Sequence, residues 1–123
     1  MTPANLLRHP EKDERARGVE ECVMVGPAVI PALIPLLADP AWVVRYRAAE
    51  AIGRIGGMSA APLLVPLLTD EKDHVRYMAA KGLCRCGDPS LVPRLEPLTR
   101  DENEYVRAMA GRAIRALAGQ NPR

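Results

Sequence analysis

Apolar residues recur at helical spacing in the second half of three successive blocks of the chain. Val44, Ala48, Ala51, Ile52 and Ile55 share one face of an α-helix. Val75, Ala79, Leu83 and Cys86 hold the same places one block later, and Val106, Ala110, Ala113, Ile114 and Leu117 hold them again. Ahead of each stretch lies a first helix, predicted at 27–38, 59–69 and 89–100, each starting near a proline whose missing N–H costs little there. Acidic turns join the two helices of a block, opened by Asp39, Asp70 and Asp101. Glycine follows each second helix, where it allows a left-handed cap.

The blocks are copies. Val44, Val75 and Val106 stand 31 residues apart, and Pro31/Pro62/Pro93, Leu33/Leu64/Leu95, Pro35/Pro66/Pro97 and Asp39/Asp70/Asp101 keep that step. One period carried by several independent markers is the mark of a stacked repeat array. Pro35, Pro66 and Pro97 fall inside the first helices and should bend each one in the same place, which predicts a curved superhelix. Before Gly26 the pattern is weaker. Thr2-Pro3 reads as a cap and first turn of a short helix, His9-Pro10 stops it, and 13–25 reads as a second helix. There Arg15, Cys22, Val25 and Gly26 match Arg45, Ile52, Ile55 and Gly56 at an offset of 30, which makes this a degenerate first repeat. The expected organisation is one domain, 1–123, with repeats at about 2–26, 27–57, 58–87 and 88–119 and a frayed tail from Gln120. Position 53 is held by Gly53, then Cys84, then Arg115: small residues suit a seam between repeats, and arginine suits an end.

Composition narrows the class. With one Trp, three Tyr and no Phe, the core must be thin layers of Leu, Ile, Val, Ala and Met. A net charge of +2 gives little reason to expect nucleic acid. Cys22, Cys84 and Cys86 lack metal-ligand spacing, so reduced thiols and a cytoplasmic location are expected. The start reads as no signal peptide, and the uncharged stretch 23–38 reads as too short to cross a bilayer, so no membrane partner is expected.

The motif Val44-Arg45-x-x-Ala48-Ala49-x-Ala51-Ile52-Gly53-x-Ile55-Gly56, preceded by a Pro- and Leu-rich helix and an Asp turn, resembles the short HEAT-like repeats often labelled phycobilisome-lyase HEAT-like repeats. The resemblance is strong over 26–119 and weak before it. It implies an all-α fold, a right-handed α-solenoid of four antiparallel helix pairs, with first helices on the convex side and second helices on the concave side. It also implies that each turn Asp caps its helix or pairs with an Arg.

Catalysis finds little support. Iron-dependent hydroxylases built on such repeats use His-Glu pairs, whereas here Pro10 follows His9 and Val75 follows His74. Cys22 and Cys86 stand where Ile or Leu stands elsewhere and read as core. No catalytic residue, metal ligand or cofactor is assigned.

The outward face of the second helices holds the richer signal. Trp42, Val43, Tyr46, Arg47 and Glu50 lie opposite the apolar face, followed by His74, Tyr77, Met78 and Lys81, then Tyr105, Met109 and Arg112. Every aromatic residue falls in these sets, and Trp, Tyr, Met and Arg are the types enriched where proteins bind one another. The expectation is a non-enzymatic protein-binding scaffold whose partner is an unidentified protein or peptide of acidic or amphipathic character. The other reading of these rings is packing over alanine-rich seams. A bilin lyase-related subunit and a nucleic-acid-binding module are the alternative functions. Ile34, Leu63 and Val65 on the first helices form either an exposed patch for self-association, giving a homodimer, or a shielded one.

Overall fold

A computed structural model describes residues 1–119, and every regular element in it is helical. The tail from Gln120 lies outside the described residues. α1 is Pro3–Leu6 and α2 is Lys12–Val25. α3 (Ile30–Leu33), α5 (Ala61–Leu64) and α7 (Val92–Leu95) are single turns, while α4 (Trp42–Ile55), α6 (Asp73–Cys84) and α8 (Glu104–Ala118) are full helices. Thr2 Oγ1 accepts from Asn5 N at 3.3 Å and so caps α1 as its sequence predicts.

The first helices are not continuous α-helices. A 3₁₀ segment precedes each of α3, α5 and α7, and a second one follows: Ile34–Ala38, Val65–Thr69 and Glu96–Arg100. Pro35, Pro66 and Pro97 each sit at the second residue of the latter segments. Their missing N–H removes the bond to the residue four back, and the chain tightens into 3₁₀ turns there. Leucines from these short helices still point inward: Leu33, Leu64 and Leu95 are fully buried.

The long helices stack in sequence, α2 on α4, α4 on α6 and α6 on α8, and each of the last three also packs on the 3₁₀ segment just before it. The predicted core face holds: Val44, Ala48, Ala51, Ile52, Val75, Ala79, Leu83, Cys86, Val106, Ala110, Ala113 and Leu117 are buried, with Ile55 and Ile114 partly so. Gly53 sits on the seam where α4 meets α6. A Cβ built on it would lie 2.8 Å from Gly82 Cα, and one built on Gly82 would lie 2.6 Å from Leu64 Cδ1. Backbones this close leave no room for a side chain. Gly57 and Gly87 follow their helices with φ of 57° and 77°, the left-handed region expected there. Gly119 differs, closing α8 in right-handed geometry at φ −66°.

One apolar run needs revising. The helical stretch Lys12–Ala38 is long and apolar enough, by length and composition, to cross a membrane. Gly26, at φ 84°, divides it into α2 and the segment around α3, and both halves pack on α4.

Candidate functional site

Two buried arginines fix how the repeats sit on each other and so place the site. Arg45 donates from Nε and Nη2 to the two carboxylate oxygens of Asp70 at 2.9 and 3.0 Å, while its Nη1 donates to the Asp39 carbonyl at 2.8 Å. Arg76 repeats the pattern with Asp101 at 2.8 and 3.1 Å and with the Asp70 carbonyl at 2.9 Å. Each Asp therefore serves the arginine of the preceding repeat, and it also accepts from a backbone N–H two residues on, Lys72 or Asn103. The guanidinium ties its own turn to the next one. Hydrogen bonds to Asp70 and Asp101 raise the pKa of Arg45 and Arg76 against the opposing effect of burial.

The ends of this ladder differ. Arg107 keeps the carbonyl contacts, 2.7 Å to Asp101 and 3.3 Å to Glu102, but is exposed. At the other end Asp39 pairs with Arg8 at 3.1 Å. Arg15 donates from Nη1 to the carbonyls of His9 and Pro10, and its buried Nε has no hydrogen-bond partner among the described residues.

With the turns in register, the N-terminal ends of α4, α6 and α8 bring the aromatic residues together. Trp42 and His74 lie 4.7 Å apart between ring centroids, and Tyr46 makes edge contacts with both at 6.1 and 6.3 Å. Lys72 Nζ sits 4.6 Å from the centre of the Trp42 ring, and the Arg47 guanidinium 5.5 Å from that of Tyr46. Burial raises the pKa of the Tyr46 hydroxyl, with the Glu50 charge adding to it.

Among the described residues, three clefts open on this face. The first, of about 320 Å³, involves Trp42, Val43, Tyr46, Arg47 and His74 with Lys12 and Arg15 of the first repeat. A second, of about 360 Å³, is lined by Tyr46, Asp73, His74, Tyr77, Asn103 and Tyr105. Glu50, Met78 and Lys81 line the third, about 330 Å³, with Gly53, Arg54 and Arg85 among their neighbours. Lys12, Arg15, Lys72 and Asn103 escaped sequence reasoning because they lie in turns or in the degenerate repeat.

Two predicted anchors do not face outward. Met78 is 5% exposed and Met109 2%. Both belong to the core, Met78 forming part of the wall of the third cleft. α6 packs between α4 and α8 as well as on the short helix before it, and α8 packs on α6 and on its own short helix, so only a narrow strip of each faces out. His74, Tyr77 and Lys81 keep that strip on α6, and Tyr105 and Arg112 keep it on α8. Trp42, Val43, Tyr46 and Tyr77 are partly buried and pack against the core. The rings therefore do both things sequence reasoning held apart: they cover seams and they line clefts.

Two of the basic side chains on this face are engaged within the chain. Arg47 pairs with Glu50 at 2.8 Å, and Arg54 with Glu20 at 2.6 and 3.1 Å. On the first helices Ile34 is exposed, whereas Leu63 and Val65 are half-buried against the core. Cys22 and Cys86 are buried, and burial pushes both thiols up in pKa. Among the described residues no group of three or more His, Cys, Asp or Glu side chains is placed to hold a metal ion.

Stacked helices, a ladder joining successive turns and a cleft-lined face define a helical-repeat fold. A family model described as HEAT repeats matches residues 3–76 and again 62–123, and the chain belongs to that family. No curated protein sequence matches it. Among solved structures, one similar fold is the complex of CpcE and CpcF of phycocyanin lyase from Nostoc sp. PCC7120, at 19% identity and a TM-score of 0.85, covering 96% of this chain and 77% of that one. Human deoxyhypusine hydroxylase in complex with glycerol is similar at 21% identity and a TM-score of 0.75, with 96% of this chain and 42% of that one covered. An engineered protein gives 21% identity, a TM-score of 0.71 and coverage of 97% and 62%.

Proposed function

We propose that this chain is a non-enzymatic scaffold that binds a protein segment along the face of α4, α6 and α8. The observation that supports the reading is the gathering of Trp42, Tyr46, Tyr77 and Tyr105 around adjoining clefts on a rigid stack. Large rings on ordered helices offer contact area with little ordering cost on binding. The segment is amphipathic: apolar side chains meet the rings, while Lys81, Arg85 and Arg112 remain for its acidic positions once Arg47 and Arg54 are engaged by Glu50 and Glu20. Affinity capture with the native chain and with the Tyr46/Tyr77/Tyr105 triple alanine variant tests it, with circular dichroism as the folding control. Proteins retained by the native chain and lost by a folded variant support the reading; equal retention overturns it.

A second reading, a bilin lyase-related role, rests on the likeness to the phycocyanin lyase complex, which at 19% identity carries the fold alone. Mixing the chain with a bilin and recording its absorption spectrum tests that role, and an unchanged spectrum removes it. Self-association through Ile34, Leu63 and Val65 draws on one exposed residue only, and light scattering over a dilution series tests it.

A further inference from the structure

We propose that the cleft between Tyr46, Tyr77 and Tyr105 is a receptor for an organic ammonium group, the side chain of a lysine or methylated lysine carried by the partner. This rests on the reading that the same face binds a protein, and it specifies what enters the cleft.

The lining supplies what such a cation needs. Aromatic faces attract cations through the ring quadrupole, most effectively when several rings and a carboxylate converge. Tyr46, Tyr77, Tyr105 and the His74 ring surround the space, Asp73 supplies the carboxylate, and no Lys or Arg is among the lining residues. Rings at this end of the stack already accept cations from within the chain, Lys72 over Trp42 and Arg47 over Tyr46. What remains is an aromatic space with a carboxylate and no Lys or Arg side chain to fill it. The nearest partner of that carboxylate is His74, which forms an ion pair with it only when protonated.

Asp73 is fixed rather than free to swing away. One of its oxygens accepts from the His74 backbone N–H at 2.7 Å and lies 2.8 Å from His74 Nδ1, while the other accepts from the Asn103 side-chain amide at 2.8 Å. The His74 ring contact comes first among the interactions that keep this carboxyl below its ordinary pKa, followed by the two N–H donors. The positive ends of α6 and α8 lie close by and would oppose a cation. They are offset by Asp73 and Glu104 in the first turns and by Asn103, whose oxygen accepts from Tyr105 N and Val106 N. A carboxylate or phosphate ligand would meet Asp73 directly.

Tetramethylammonium chloride is the probe, titrated at neutral pH while the tyrosine ring signals are followed by NMR. Sodium chloride at equal ionic strength and neutral tert-butanol serve as controls. Saturable shifts at Tyr46, Tyr77 and Tyr105 with the ammonium alone are expected. Asp73→Asn should weaken its binding by about five-fold, the worth of one exposed ion contact, and Tyr105→Ala should weaken it as well. Tyr105 is 68% exposed, so its replacement leaves the fold intact and keeps the test valid if Asp73→Asn disturbs α6. Equal shifts with tert-butanol, no saturable shift, or shifts unaltered in both variants overturn the assignment. If the probe fails while the triple alanine variant still loses its captured protein, the ammonium assignment falls and the protein-binding face stands. If the probe binds but capture is unchanged by the triple variant, the cation site stands and the protein-binding face falls.

Discussion

Arg76 and Asp101 are joined by two parallel hydrogen bonds across the boundary between successive repeats, with both side chains 11% exposed. The contact is specific to arginine, because a planar fork can serve both carboxylate oxygens and still reach the carbonyl of Asp70. Arg76→Ala leaves Asp101 without its counter-charge and is expected to cost about 3–5 kcal/mol. Arg107→Ala, at the exposed end of the same series, should cost under about 1 kcal/mol. Denaturant unfolding of the two variants measures the difference; equal losses would mean that the ladder does not hold the repeats together.

Acid should weaken the same joint. Burial raises the Asp101 pKa, but hydrogen bonds from Arg76 and the Asn103 N–H, with the Arg76 charge, outweigh it and hold the carboxyl below its ordinary 3.8. A carboxyl with a lower pKa folded than unfolded contributes stability that is complete above the unfolded value and is lost as pH falls through the folded one. The contribution is therefore steady from neutrality to about pH 5 and fades below about pH 4. As pH is taken below about 4, the melting temperature should fall more steeply for the native chain than for Asp101→Asn.

The glycine seam gives an opposite test of local and tertiary effects. Alanine favours helix over glycine by about 1 kcal/mol, yet the Cβ of Gly53→Ala would lie 2.8 Å from Gly82 Cα. Forcing α4 and α6 apart should leave a net loss of about 1–3 kcal/mol. Thermal melting decides it, and a stabilised variant would show that the helices can part without cost.

Tyr105 and Met109 lie one helical turn apart and should behave in opposite ways. Met109→Ala removes a buried side chain and should cost about 2–5 kcal/mol. Tyr105→Ala should change stability by under about 0.5 kcal/mol, as surface replacements usually do, while weakening capture of the partner. Melting curves and binding measured on the same two samples separate core from face.

Ile52→Asp places an unpaired charge in a fully buried site and should abolish the cooperative helical melt. A folded variant would contradict the position assigned to Ile52 in the core.

The 31-residue step, the two helical segments of each block, the buried face of α4, α6 and α8 and the tight seam at Gly53 could all be read from the order of residues. Each depends on angles within one helix or on the steric demands of glycine and proline, which are local properties. The breaking of each first segment into 3₁₀ turns around one α-turn could not be read in this way. Which aspartate an arginine meets is not local. Arg45 has Asp39 nearer in sequence, but its fork reaches Asp70 because stacking brings the next turn alongside. Met78 and Met109 show the same limit: helical periodicity sets them off the apolar centre line, and only the neighbouring helices decide that this flank is covered. The Tyr46–Tyr77–Tyr105 cleft likewise exists only through packing. Its rings come from three helices, and its charge and its amide come from the first turn of α6 and the turn before α8. Sequence period determines which residues recur; the spacing and offset of helices in contact determine which of them meet.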